Sequence, residues 1–137
     1  MSFSDISVRS NGQTIIAGWF NDIRTALLSY AGNEGISQTN FSGIASQTNA
    51  DITDLVFDKL VTESAIVEYT IKTSAGDFES GSLSIWYDGT NWNISQGAVA
   101  GDDAGVTLEI DISTGQVDYT NGAFTFTMKF RASTINI

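Results

Sequence analysis

Residues 65–73, AIVEYTIKT, alternate between apolar and polar side chains. In an extended chain the apolar Val67, Tyr69 and Ile71 would share one face, and the polar side chains between them would share the other. Alternation with a period of two, carried by β-branched and aromatic residues, is typical of a strand with one buried face. The stretch therefore predicts a half-buried β-strand.

The same alternation recurs downstream, and turn residues separate the copies. The further strand-like runs are residues 82–87, 106–112, 116–119 and 124–130. The clusters between them all contain Gly, at residues 75–77, 88–91, 101–105, 114–115 and 121–122. Short alternating runs separated by turns predict a mainly β fold, a small antiparallel β-sandwich or strongly bent sheet of about six to eight strands.

Composition excludes several classes of chemistry. The 137 residues include no Cys and no His, so disulfides, thiolate metal sites and His-based catalytic triads are excluded. The many Ser and Thr residues are not accompanied by a Ser-x-x-Lys pattern or another activated nucleophile. We therefore predict a non-enzyme that needs no cofactor.

Charge and hydropathy bear on partners and location. The net charge is −10, from 16 acidic and 6 basic residues, which argues against nucleic acid and anionic membranes as partners. Only 16% of the residues are charged, against about 25% in typical globular domains. A surface of hydroxyl and amide side chains favours contacts with copies of the same chain or with a larger assembly. Because no signal peptide and no membrane-length apolar run is present, we expect synthesis in the cytoplasm and no membrane insertion.

The period changes near the N-terminus, where apolar residues recur every three or four positions. This spacing predicts an amphipathic α-helix over residues 14–30, with Thr14 as its cap. Its stripe contains Ile16, Trp19, Phe20, Ile23 and Leu27. A helix of about four turns needs a surface on which to dock. Two alternatives stay open for that surface, the β unit of the same chain and a partner.

The segment between the helix and the first strand-like run is polar. Residues 32–54 are rich in Ser, Thr, Asn and Gln and predict an extended connector. The apolar cluster at residues 52–60 predicts a short helix or a first strand. We therefore divide the chain into an N-terminal attachment segment, residues 1–50, and a β-sandwich domain, residues 51–137. The attachment segment comprises an extended arm, the helix and the connector.

Two clusters are candidate binding sites. Asp102 and Asp103, flanked by glycines, are candidate calcium ligands. The spacing matches no EF-hand, and an acidic corner bounded by Gly is more often a turn. Trp86 and Trp92 flank the turn at residues 88–91 and are candidate glycan contacts; the alternative is packing or a subunit interface. Trp86 and Tyr87 are neighbours in an alternating run, so we expect them on opposite faces.

Several segments, in this order, resemble a small β domain of virion proteins from tailed bacteriophages, particularly fibre, tail and other appendage proteins. They are ITDLVFD (52–58), IVEYTI (66–71), ESGSL (79–83), GDDAGVT (101–107), GQVDYT (115–120) and MKFRA (128–132). The resemblance covers roughly residues 50–134. Where the similar proteins frequently carry Ser and Phe, this chain has Ala104 and Leu108.

The resemblance implies a structural component of a virion and supplies no catalytic residues. It implies a homo-oligomer, most plausibly a homotrimer, that contacts other virion proteins as a fibre, tail or neck appendage or as a head-decoration component. The helix stripe would then be the attachment device. The competing class is a carbohydrate-binding adhesin or receptor-binding module that contacts a host surface glycan.

Overall fold

The computed structural model describes residues 35–137, and its regular elements there are all β-strands. In chain order they are β1 (Gly35–Gly43), β2 (Ala50–Val56), β3 (Thr62–Thr73), β4 (Phe78–Tyr87), β5 (Trp92–Gln96), β6 (Ala100–Gly101), β7 (Thr107–Ile110), β8 (Gln116–Thr120) and β9 (Phe126–Asn136). The described residues include no helix that could cross a membrane. The predicted helix at residues 14–30 lies outside the described residues.

The strands form two antiparallel sheets. Sheet A has six strands in the order β1-β9-β3-β4-β5, with β6 also paired to β4. Sheet B has three strands in the order β2-β8-β7. The chain therefore crosses between the sheets several times, and each sheet contains strands that are distant in sequence.

Strand β3 lies at the centre of sheet A because it pairs with β4 on one side and β9 on the other. Its burial alternates as the sequence predicts, with Val67, Tyr69 and Ile71 buried. Strands β4 and β9 alternate in the same way, with Leu83 and Phe130 among their buried residues. The prediction of half-buried antiparallel strands is confirmed.

The two sheets bury one shared core. Ile52, Leu55 and Val117 from sheet B lie in the same buried cluster as the inward side chains of sheet A. The Tyr119 ring of β8 lies 5.0 Å from the Phe126 ring of β9, edge to face, a geometry that aromatic pairs prefer. The mainly β, two-sheet expectation is thus confirmed, and each sheet presents an outer face directed away from this core.

Three parts of the sandwich differ from the sequence expectation. Residues 35–43 lie in strand β1, which pairs with β9, instead of forming an extended connector. The ambiguous apolar cluster at residues 52–60 begins in strand β2. A strand also starts directly after the 88–91 turn, since Trp92 pairs with Tyr87. Eight of the nine described strands, β2–β9, form the predicted β domain, which agrees with about six to eight; the ninth is β1, in the segment predicted as a connector.

Candidate functional site

The outer face of sheet A spans the larger of the two sheets, and the strand registers fix its layout. We call it face A, defined by the outward side chains Ile66, Glu68, Thr70 and Lys72 of β3, Ser80, Ser82, Ser84 and Trp86 of β4, and Lys129, Arg131, Ser133 and Ile135 of β9. Successive side chains of a strand alternate between faces, so these residues line up in cross-strand rows.

One end of face A is apolar. Ser64 of β3 pairs with both Trp86 and Ile135, and the next outward residue along the strand is Ile66. We call Ile66, Trp86 and Ile135 the apolar corner, because diagonal neighbours on one face come within about 7–8 Å of each other. Their side chains are 55%, 40% and 65% exposed, respectively. Clustered apolar side chains at such exposure mark interaction surfaces more often than scattered ones do.

The middle of face A is an open depression of about 300 Å³. Its polar lining includes Gln38, Glu68, Thr70, Ser80, Lys129 and Arg131. The Arg131 guanidinium donates a hydrogen bond of 3.1 Å to the Glu68 carboxylate, and both side chains remain exposed. Because the Arg131–Glu68 ion pair is exposed, it contributes little to the stability of the domain. Hydroxyl, amide and charged groups around an open depression can bind a polar ligand.

The two candidate glycan contacts occupy different environments. Trp86 points outward and exposes its side chain, whereas Trp92 is 1% exposed and belongs to the core. The Trp92 ring lies 5.3 Å from the half-buried Tyr87 ring, which confirms that Trp86 and Tyr87 lie on opposite faces. The expectation for Trp92 as a glycan contact is therefore corrected, because a buried ring has no face on which a sugar can stack.

The outer face of sheet B carries a row of carboxylates that the sequence analysis did not identify. Asp118 of β8 pairs directly with Asp51 of β2 on one side and with Glu109 of β7 on the other. We call Asp51, Asp118 and Glu109 the acidic row. Like charges directly opposite each other across strands are destabilising. The sequence feature that indicated an outward Asp118 is the alternation of β8, in which Asp118 stands between the buried Val117 and Tyr119.

Asp118 is the central and least exposed member of the acidic row. Burial is the largest cause that raises the pKa of Asp118 above its ordinary value, and the charges of neighbouring carboxylates raise it further. Its Oδ1 atom is buried and has no hydrogen-bond partner. In residues 35–137 no group of three or more acidic residues has the geometry to hold a metal ion.

The candidate calcium ligands Asp102 and Asp103 lie in a turn and accept backbone hydrogen bonds. Asp102 Oδ2 accepts from the Phe78 amide at 3.0 Å, and Asp103 Oδ1 accepts from the Gly105 amide at 2.9 Å. Asp88 and Asp111 also accept backbone hydrogen bonds, and these bonds lower the pKa of both carboxyl groups. Carboxylates engaged in this way are typical of turns.

A buried polar network supports the 101–105 corner from within. Glu79 points inward from β4 and is only 3% exposed. Its Oε2 accepts a 2.8 Å hydrogen bond from the Tyr69 hydroxyl, and its Oε1 accepts a 3.0 Å hydrogen bond from the Ala104 amide. The Gln96 amide in turn donates to the Tyr69 oxygen at 2.7 Å. The sequence did contain an indication of this network. Glu79 is four residues from the core residue Leu83 in the same strand, so the alternation of β4 directs both side chains inward.

The predicted attachment stripe, Ile16, Trp19, Phe20, Ile23 and Leu27, lies outside the described residues. Of the predicted site residues that the structure describes, Trp86 lies on face A, Trp92 in the core and the Asp102–Asp103 pair in a turn. These residues do not form one site.

Comparison with known proteins gives structural neighbours and no family. No protein-family model matches the chain, and no curated protein matches it. The tailspike protein of Acinetobacter phage vB_ApiP_P1 is 18% identical over 72% of this chain and 22% of its own, with a TM-score of 0.44. The tailspike protein of Acinetobacter baumannii bacteriophage Fri1, described as a capsular polysaccharide depolymerase, is 14% identical over 75% of this chain and 20% of its own, with a TM-score of 0.39.

This chain therefore spans 22% or less of the length of those two tailspike proteins. With identities below 25% and TM-scores below 0.5, the two likenesses assign no function to this chain.

Proposed function

We propose that this chain is a non-enzymatic structural protein of a bacteriophage virion, where it acts as a homo-oligomer, a homotrimer. It would serve as a fibre, tail or neck appendage or as a head-decoration component. Its N-terminal segment would attach it to other virion proteins through the stripe at residues 16–27. The β-sandwich would then form contacts between copies.

The observation that carries this proposal is the apolar corner of face A. Burying a large apolar side chain is worth about 1.5–3 kcal/mol, and Ile66, Trp86 and Ile135 lie close enough to be covered by one partner surface. An ordered sheet face with clustered apolar side chains at one end is a feature of association surfaces. The weakly charged composition agrees with association, because charged residues are depleted in interface cores.

Strand edges also favour association. Sheet A ends at β1 on one side and at β5 and β6 on the other, and sheet B ends at β2 and β7. Unpaired strand edges are templates for further pairing, which a closed oligomer limits.

Peptide mass spectrometry of purified particles tests the virion assignment, using the phage whose genome encodes the chain. We expect the chain in the particles at a copy number that is a multiple of three. Its absence from washed particles, with abundant protein in the lysate, would overturn the assignment. A replacement of Trp19 and Phe20 by Ser should remove the protein from particles, and retention would place the attachment surface elsewhere in the chain.

A second candidate function is glycan binding, and it is favoured by Trp86. The Trp86 indole is exposed on face A, and such a ring suits a sugar, which combines an apolar face with several hydroxyls. A screen of immobilised glycans tests this function. Binding that is lost in Trp86→Ala and kept in Ile135→Ala would support it, and no binding by the native chain would contradict it.

A further inference from the structure

The charges of the described domain are divided between the two sheets. Residues 35–137 contain four of the six basic residues of the chain. Three of these, Lys72, Lys129 and Arg131, point outward from sheet A. The fourth, Lys59, follows β2 and has its ammonium 5.9 Å from the centre of the Tyr87 ring.

Sheet B has the opposite character. Its strands, ADITDLV, TLEI and QVDYT, contain no Lys or Arg. Its outer face, which we call face B, carries the acidic row. The carboxylates of this row have no cation within their own sheet, and the buried Oδ1 atom of Asp118 has no partner. Such an arrangement is costly in the isolated domain and is relieved when a cation is brought to it from outside.

Face A offers cations that are not engaged within the described part of the chain. The ion pair on face A joins Arg131 to Glu68. Lys72 and Lys129 form no ion pair with an acidic residue in residues 35–137. Lys129 is opposite Thr70, and Lys72 is the next outward residue of β3. This diagonal relation separates the two lysines by about 7–8 Å.

The dimensions of the two charged groups match. The acidic row crosses three adjacent strands, so its outer members are about 10 Å apart, or two strand spacings. The two lysines are about 7–8 Å apart. Their long side chains can shift their ammonium groups by a few ångströms and so reach the outer carboxylates of the row.

We infer that face A of one copy docks on face B of a second copy, with Lys72 and Lys129 placed against the acidic row. Charge complementarity selects a second copy as the occupant, because one chain carries both halves of the contact. Exposed Phe78, which pairs with Lys72 at the start of β4, contributes apolar burial beside the lysines, and exposed Val56 does so beside the acidic row on face B.

This contact joins two different surfaces, so it is heterologous. Each copy has one face A and one face B, and the contact forms a ring if its rotation closes and an open chain if it does not. The inference specifies the self-contact assumed in the proposed function and therefore rests on that proposal. Complementary charges of this kind fix register and accelerate association, and their effect weakens with salt.

Charge reversal in the full-length chain tests the inference. One variant reverses face A (Lys72→Glu with Lys129→Glu), and another reverses face B (Asp51→Lys with Glu109→Lys). Glu63→Lys, an exposed position at the start of β3, is the control for a change in net charge. Masses are measured by sedimentation equilibrium, in about 0.05 M and about 1 M NaCl, since the higher concentration shortens the screening length to about 3 Å.

We expect each reversed variant alone to associate at least tenfold more weakly than the native chain, and the control to associate normally. An equimolar mixture of the two reversed variants should associate again, because the native face A of one variant meets the native face B of the other and the two reversed faces are also complementary in charge. This association also shows that both variants fold. The native oligomer should weaken in the higher salt concentration.

An unchanged oligomer in both reversed variants would overturn the inference and leave the proposed homo-oligomer intact. A native chain that is monomeric at every concentration would overturn both. A monomeric native chain whose melting temperature rises with calcium and not in the face B variant would replace the second copy by an inorganic cation. A mixture that forms no complex, although both variants melt cooperatively, would also overturn the inference.

Discussion

At the scale of single residues, the buried carboxyl group of Glu79 shows how the sandwich accommodates an acidic side chain in its interior. A buried polar group without hydrogen-bond partners would be costly in the core. Here the Tyr69 hydroxyl and the Ala104 amide each donate to one carboxylate oxygen. The consequence is that the interior of sheet A and the 101–105 corner are held by the same side chain.

We predict that Tyr69→Phe destabilises the domain by about 1–3 kcal/mol, the cost of leaving a buried polar group without its partner. The matched control is Tyr87→Phe, because the Tyr87 hydroxyl makes only a 3.3 Å hydrogen bond to the exposed Thr90 carbonyl. Urea unfolding measures both. Equal effects of the two substitutions would show that the network adds nothing beyond ordinary packing.

The raised pKa of Tyr69 predicts that the stability of the domain falls at alkaline pH. Burial, followed by the hydrogen bond to Glu79, raises the pKa of Tyr69 to about 12, against about 10 in an unfolded chain. Its contribution to stability is fully present below pH about 10 and is lost as the pH rises through about 12. The urea midpoint of the native chain should fall over this range more steeply than that of Tyr69→Phe.

For Asp118 we predict that removing the ionisable group stabilises the domain, whereas removing the Tyr69 hydroxyl destabilises it. Because the folded-state pKa of Asp118 is raised, its contribution to stability is present below the unfolded pKa and is lost as pH rises through the folded pKa. Asp118→Asn should therefore stabilise the domain at neutral pH, by about 0.2–1 kcal/mol for relief of cross-strand repulsion. Thermal melts at acidic and neutral pH measure the difference, with Glu63→Gln as the control. A less stable Asp118→Asn at neutral pH would contradict this electrostatic account.

At the scale of elements, period-two alternation predicted the strands that have one buried face. The runs at residues 65–73 and 82–87 lie within β3 and β4, and the buried positions are those that the alternation indicates. Alternation did not predict β1, because an irregularity between Ile36 and Thr39 interrupts the period and only Ile36 and Phe41 of its inward positions are large apolar residues. A strand that gains its place through backbone hydrogen bonds to β9 leaves little trace in side-chain hydropathy.

Strand β1 leads to a prediction about truncation. Its residue Phe41 lies 5.5 Å from the Tyr119 ring and 6.2 Å from the Phe126 ring, so removing β1 opens the core. The fragment 33–137 retains β1, and the fragment 51–137 lacks it. We expect a cooperative melt for the first and a lower melting temperature for the second, measured by circular dichroism. Equal melting temperatures would mean that β1 is dispensable.

Gly115 lies directly before β8 and packs against the backbone of Phe57 and the indole of Trp92. A side chain at this position would clash with both. The φ of Gly115 is +77°, and an added Cβ would lie 2.3 Å from the Phe57 carbonyl oxygen and 2.8 Å from Trp92 Nε1. Gly89 has a φ of +97° and open space around it. We expect Gly89→Ala to cost about 1–2 kcal/mol from the backbone alone and Gly115→Ala to cost more. Equal losses in urea unfolding would show that the close approach does not matter.

At the scale of the whole molecule, the candidate surfaces were only partly predictable. Alternation predicted that Trp86 and Tyr87 lie on opposite faces without deciding which is exposed, and the burial of Trp92 depended on a strand that the sequence did not reveal. The acidic row combines residues 51, 109 and 118, which are brought together by pairing between β2, β8 and β7. No local pattern in the sequence records that pairing, because cross-strand registers are set by the packing of the whole sandwich.

Self-association is the central claim of this account, and the native mass of the full-length chain tests it most directly. Sedimentation equilibrium at micromolar concentration and about 0.15 M ionic strength gives that mass independently of molecular shape. The account predicts a complex of three chains, each of 14.7 kDa. A mass of one chain at every concentration would contradict it.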